Sequence, residues 1–188
     1  MFFLNFFYFE KTKKLMSITY FLTKSEGVKH FGLAPAIPVL FVTGGSQGAR
    51  AINNAIKGIL PALLPSVQVL HQSGELDYPS LCEMQETLPE NLKKNYKLFS
   101  FITDDMPLAL QSADLVLTRG GANTLSELMV LKKPSLIIPL PKAANNHQMK
   151  NARVIEQHGA GIIIEQSLMT EDLLLNTIKG LITDREKL

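Results

Sequence analysis

From about residue 36 onward, short apolar runs alternate with longer amphipathic stretches. The runs are Val39–Thr43, Val67–His71, Tyr96–Phe101, Leu115–Thr118, Ser135–Leu140 and Ala160–Glu165. Each is four to six residues long and nearly continuous, the pattern of a strand buried on both faces. Between them, helical periodicity falls at about 48–60, 79–88, 105–112, 123–131, 146–157 and 170–182. Strand and helix in strict alternation predict an α/β fold, a doubly wound Rossmann-like parallel sheet with right-handed crossovers. In such a sheet, ligands bind outside the carboxyl ends of the strands. Pro38, Pro61, Pro65, Pro134, Pro139 and Pro141 fall at element boundaries, where a missing N–H costs little.

Two of the strand ends carry glycine-rich turns. The first is Thr43-Gly44-Gly45-Ser46-Gln47-Gly48-Ala49-Arg50, and the second is Arg119-Gly120-Gly121-Ala122-Asn123-Thr124-Leu125-Ser126-Glu127. Glycine lets a ligand approach the main chain, and the helix that follows offers free N–H groups and a positive dipole end. Two such turns on one sheet point to a phosphate-bearing nucleotide. Neither turn is a G-x-G-x-x-G dinucleotide fingerprint, which disfavours a nicotinamide enzyme, and neither is a P-loop. Ser46 is placed to donate to a phosphate oxygen, or merely to cap its helix. Glu127 is placed to accept from the vicinal hydroxyls of a ribose. Thr124-x-x-Glu127 also has the spacing of a capping box, in which the glutamate serves only the helix.

Other strand ends add polar candidates. Phe101-Ile102-Thr103-Asp104-Asp105-Met106 offers a backbone that can read a base edge at Ile102, with Asp104 or Asp105 as a cap for the next helix. Pro139-Leu140-Pro141 leads into Ala144-Asn145-Asn146-His147-Gln148, a cluster suited either to sugar hydroxyls or to capping by Asn145 or Asn146. His71, alone after its strand, reads as structural.

Composition narrows the chemistry. The chain has 188 residues, 46% of them apolar, enough for one packed domain. Net charge is +2 overall, but residues 1–33 carry +3 and the rest −1. The body therefore lacks the basic excess of a nucleic-acid binder, and no nucleic-acid partner is expected. The single cysteine, Cys82, excludes an internal disulfide. No Asp-x-Asp pair and no metal-ligand histidine spacing is present, so no metal and no cofactor are expected.

Residues 1–33 differ from the rest, holding nine of the fourteen Phe and Tyr residues and the cluster Lys11, Lys13 and Lys14. The apolar stretch is shorter than the roughly 20 residues of a membrane span. It has neither the charge order nor the cleavage site of a signal peptide. Two readings stay open: a segment lying on an anionic membrane surface, or a leader foreign to the fold and open to disorder. The expected division is a leader over 1–35 and a nucleotide-sugar-binding domain over 36–188.

In combination, these motifs resemble the MurG family of glycosyltransferases. The resemblance rests on Val42 to Arg50 with Asn53, His71-Gln72-Ser73-Gly74, Phe101 to Met106, Ala113-Asp114, Arg119 to Glu127, and Asn146-His147-Gln148 with Asn151-Ala152. It covers roughly residues 36–183 and corresponds to the C-terminal, donor-binding half of a GT-B enzyme. The resemblance implies metal-independent, inverting transfer of N-acetylglucosamine from UDP-GlcNAc to a lipid-linked muramoyl-pentapeptide in peptidoglycan synthesis. It implies a cytoplasmic location, peripheral at the inner face of the plasma membrane. It places Gly44, Gly45 and Ser46 at the diphosphate, Ile102 at the uracil, and Ala122, Asn123 and Thr124 at phosphate or sugar. Glu127 would hold the ribose, and His147 and Gln148 the sugar. The catalytic base is expected in an N-terminal domain that residues 1–35 cannot contain. The family's diphosphate-binding arginine has no clear counterpart, and the C-terminal end is short for the helix that returns to the other domain. The chain thus reads as the donor-binding half of the transferase, or as a non-catalytic UDP-sugar-binding subunit that needs a separate acceptor-domain chain.

Overall fold

A computed structural model describes residues 22–45, 48–141 and 143–183. Six strands, β1 (Val39–Thr43), β2 (Gln68–Gln72), β3 (Tyr96–Phe99), β4 (Leu115–Thr118), β5 (Ser135–Ile137) and β6 (Gly161–Ile163), form one sheet. All neighbouring pairs are parallel, in the order β3-β2-β1-β4-β5-β6. The helices are α1 (Lys24–His30), α2 (Arg50–Leu63), α3 (Tyr78–Thr87), α4 (Glu90–Lys93), α5 (Met106–Ser112), α6 (Ala122–Val130), α7 (His147–Gln157) and α8 (Glu171–Thr183). The predicted doubly wound α/β fold is the one observed.

The sheet is buried because its strands are apolar on both faces. Every residue of β1 and β4 is buried. Leu40, Val42, Val69, Leu115 and Leu117 face one core with Ile52, Ile56 and Leu60 of α2 and Leu174 and Ile178 of α8. Val39, Phe41, Leu70, Val116 and Ile137 face the other, with residues of α1, α5, α6 and α7. This alternation is the period-two geometry of a strand sandwiched between helix layers.

Helix α1 begins inside the stretch that the sequence sets apart as a leader. Thr23 caps it with a complete capping box, its hydroxyl accepting from the Glu26 N–H at 3.3 Å while Glu26 Oε2 accepts from the Thr23 N–H at 2.7 Å. Val28, Phe31 and Leu33 are buried in the second core. Lys24 pairs with Asp114, which also accepts the Val39 N–H at 2.9 Å, so α1 is tied to the start of β1. The packed unit thus includes α1, upstream of the expected boundary at residue 36. The aromatic and lysine-rich part of the leader, residues 1–21, lies outside the described residues.

The chain winds outward from β1 through β2 to β3, then returns to place β4 on the other side of β1. The reversal puts the topological switch between β1 and β4, whose ends are in register at Thr43 and Thr118. The two glycine turns leave the sheet side by side at this point. That is the crevice where doubly wound sheets take their ligands.

Candidate functional site

The site is the row of loops at the carboxyl ends of β3, β2, β1, β4 and β5. In the first turn, Gly48 has φ +74° and lies flush on β2's exit: a Cβ there would stand 2.3 Å from the Ser73 carbonyl oxygen. Only glycine allows both the left-handed backbone and this contact. Gly44 is closed on its side-chain face by Ala49, whereas Gly45 opens onto free space. Ser46, the expected phosphate donor, lies outside the described residues. Helix α2 then starts at Arg50, and its flanking residue Ala49 has no side chain able to cap it.

The second turn repeats this design. Gly120 packs against the start of α7, where a Cβ would meet the Gln148 carbonyl oxygen at 2.3 Å, and Asn151 Nδ2 donates to the Gly120 carbonyl at 3.1 Å. Gly121 opens onto free space. Helix α6 starts at Ala122 with Gly121 as its capping residue and no side-chain cap. Two adjacent helix starts, neither capped by its flanking residue, therefore point their N–H ends at one crevice, a local excess of positive potential.

The position of α6 rules out the capping-box reading of Glu127. A capping box needs Thr124 at the residue flanking the helix, but Thr124 already lies inside the first turn. Glu127 sits one turn further in and cannot reach back as a cap. Its carboxylate is half-buried, and burial alone pushes its pKa up. Among the described residues it has no ion-pair partner. This half-desolvated carboxylate serves no helix end and no cation among the described residues, and it can still accept hydrogen bonds. Asn123 is exposed and Thr124 half-exposed beside it.

At the end of β3, the Ile102 N–H donates to Gln72 Oε1 at 3.0 Å. Only the carbonyl of Ile102 is left to read a base edge. Asp105 occupies the flanking position of α5 without a side-chain cap and instead pairs with His30 at 3.2 Å, so its expected capping role is not the one observed. At the end of β5, Asn145 and Asn146 are both left-handed, with φ of 52° and 54°, and the Asn146 side chain does not cap α7. These asparagines therefore serve the backbone, since asparagine tolerates that region better than most residues. His147 is exposed at the first residue of α7. Gln148 Oε1 accepts the Leu140 N–H at 2.9 Å, which leaves the amide NH2 group for a ligand. A cavity of about 280 Å³ opens here, lined by Pro139, Leu140, Pro141, Asn146, Arg153 and Gln166 among others.

Behind the first turn, His71 belongs to a chain of polar groups rather than standing alone. Asn53 Nδ2 donates to the Ser73 carbonyl and to Asp77 Oδ2, both at 2.8 Å. With both hydrogens used, Asn53 Oδ1 must accept, so His71 carries its proton on Nε2, 3.0 Å away. His71 Nδ1 then accepts from the Tyr96 hydroxyl at 2.9 Å. Burial holds His71 far below its ordinary pKa, at about 3, so the ring is neutral. Arg50 Nε closes the chain on Asp77 Oδ1 at 3.0 Å. The Thr/Gly-rich turn thus rests on a fully paired network, and its signal in the sequence is Asn53 one turn into α2.

Arg119 spans the second turn. Its Nη1 donates to the Ile138 carbonyl at 3.0 Å and to Gln166 Oε1 at 2.8 Å, joining the ends of β4 and β5 to the loop after β6. A larger cavity, about 420 Å³, lies away from the crevice on the free edge of β3, lined by Gln85, Glu90, Lys93, Lys94 and Lys97 among others. It is open, holds neither glycine turn, and belongs to a lysine-guarded sheet edge rather than to the ligand crevice. Among the described residues no three His, Cys, Asp or Glu side chains group as a metal ion would need, and no helix is long and apolar enough to cross a membrane.

Known proteins share both sequence and fold with this chain. A transferase of Desulfitobacterium hafniense, named UDP-N-acetylglucosamine–N-acetylmuramyl-(pentapeptide) pyrophosphoryl-undecaprenol N-acetylglucosamine transferase, is 40% identical over 177 residues, 89% of this chain and 46% of that protein. The protein of the same name from Listeria welshimeri is 38% identical over 168 residues, 88% of this chain and 45% of that one. The crystal structure of Acinetobacter baumannii MurG superposes with a TM-score of 0.72 at 28% identity, over 91% of this chain and 47% of that one. The chain thus spans about half the length of the curated relatives it matches. Residues 39–188 match the glycosyltransferase family 28 C-terminal domain, and the chain belongs to that family.

Proposed function

We propose that this chain is the donor-binding half of an N-acetylglucosaminyltransferase that takes its sugar from UDP-GlcNAc. The observation that carries the reading is the pair of glycine turns opening side by side at the β1/β4 switch, each followed by a helix start that its flanking residue does not cap. The diphosphate lies across these turns, on Gly44, Gly45 and Ser46 and on the N–H groups of Ala122, Asn123 and Thr124. The uracil meets the Ile102 carbonyl, the ribose diol donates to Glu127, and His147 and Gln148 face the sugar.

The chemistry follows from charge. An acceptor hydroxyl attacks the anomeric carbon, the bond to the diphosphate oxygen breaks, and negative charge grows on the departing UDP. Two helix starts fixed beside that oxygen stabilise the charge without reorganising. The base that takes the acceptor proton comes from an acceptor half, in the same polypeptide or on a separate chain. The acceptor is the lipid-linked muramoyl-pentapeptide of the relatives' names, which sets the reaction at the cytoplasmic membrane surface.

Calorimetric titration of the purified chain with UDP-GlcNAc, with NAD as the control ligand, tests the reading. Saturable binding of the UDP-sugar without binding of NAD is the expected result. A folded chain that binds neither ligand, or binds NAD, overturns it.

A further inference from the structure

Gln72 is the last residue of β2, and β2 lies between β1 and β3. Its neighbours in register are Thr43, where the first glycine turn leaves the sheet, and Phe99, three residues before Ile102. The side chain is buried, with 1% of its surface exposed, and every polar group on it is used. Nε2 donates to Thr43 Oγ1 and to the Gly45 carbonyl oxygen, both at 3.3 Å. Oε1 accepts the Ile102 N–H at 3.0 Å. Thr43 Oγ1 in turn accepts the Gly45 N–H at 3.2 Å, so both backbone groups of Gly45 are tied to this cluster.

One carboxamide therefore joins the loop that faces a diphosphate to the loop that faces a base. We propose that Gln72 is a positioning residue for the nucleotide: it fixes the spacing between the Gly45 turn and Ile102, so that a ligand carrying both a base and a diphosphate meets both loops at once. The inference rests on the UDP reading above. Only a carboxamide of this length offers an acceptor on one side and two donors on the other. The loops need opposite partners, since Ile102 presents an N–H and Gly45 a carbonyl. The cost of removing Gln72 falls on ligands that bridge the loops, because a ligand held at one loop needs no fixed spacing.

The test compares UDP with uridine, which reaches the base loop and Glu127 but not the first glycine turn, on the full chain and on two variants. Gln72→Glu keeps the acceptor for the Ile102 N–H and removes both donors to the first turn. Gln72→Met keeps the bulk and removes all three bonds. The expected result is a tenfold or greater loss of UDP affinity in both variants. Uridine affinity should stay within twofold of wild type in Gln72→Glu, with circular dichroism unchanged. Equal losses for UDP and uridine, or no loss for UDP, overturn the proposal. Variants that do not fold assign Gln72 to the core rather than to the spacing of the site, and overturn it as well. A wild-type chain that binds NAD instead of UDP refutes the nucleotide reading itself, which is a separate outcome.

Discussion

Replacing Glu127 with glutamine separates binding from stability, because the structure predicts opposite signs for the two. The carboxylate is half-buried, has no ion-pair partner among the described residues and lies too deep in α6 to serve as a cap. Burial raises its pKa, so the ionised form is disfavoured by the fold. For an acid raised in this way, the favourable contribution is present below the unfolded pKa and is lost as pH rises through the folded one. At neutral pH, Glu127→Gln therefore removes an unfavourable charge and leaves the melting temperature unchanged or higher. A ribose diol donating to the carboxylate makes charge-assisted bonds, together worth about 1.5–3 kcal/mol. Their loss weakens UDP affinity roughly tenfold to a hundredfold, at about 1.4 kcal/mol per factor of ten. Titration calorimetry and thermal denaturation near neutral pH read both effects on one preparation. A variant with wild-type UDP affinity and a lower melting temperature would refute the reasoning and return Glu127 to a structural role.

Other predictions follow from the network and the turns. His71 is neutral in the fold down to about pH 3, whereas the unfolded chain protonates it near its ordinary value of 6.5. Stability is therefore lost on acidification across that window, by up to about 1.4 kcal/mol per pH unit from this group. In His71→Gln the acid limb of a urea-denaturation series should be shallower; an identical slope would mean that the ring is charged in the fold. Gly48→Ala meets both a left-handed φ and the Ser73 carbonyl at 2.3 Å. It should cost more than about 1 kcal/mol and weaken UDP binding, and a neutral result in both assays would contradict the packed turn.

Much of the fold was legible because the central strands are apolar on both faces. Val39–Thr43 and Leu115–Thr118 read as strands with the observed bounds. The outer runs Ser135–Leu140 and Ala160–Glu165 are longer than the strands inside them, Ser135–Ile137 and Gly161–Ile163, since apolar residues flanking a short strand carry the same signal as those within it. Helix α1 is hard to read from periodicity because its seven residues make only about two turns, although Thr23-x-x-Glu26 is itself a capping-box signature. The same spacing at Thr124-x-x-Glu127 has a different meaning, and only the observed start of α6 at Ala122 distinguishes the two. The part played by Gln72 depends on strand order, which places residues 45, 72 and 102 together, and no local pattern reports that.

The central claim is that a UDP-sugar lies across the two glycine turns. Amide chemical-shift mapping of the isotope-labelled chain, titrated with UDP-GlcNAc, tests this most directly. The account predicts saturable shifts at Gly44, Gly45, Ile102, Ala122, Asn123 and Thr124, with the amides of Lys93, Lys94 and Lys97 on the β3 edge unmoved. Shifts confined to that lysine-lined edge, with both glycine turns silent, would contradict it.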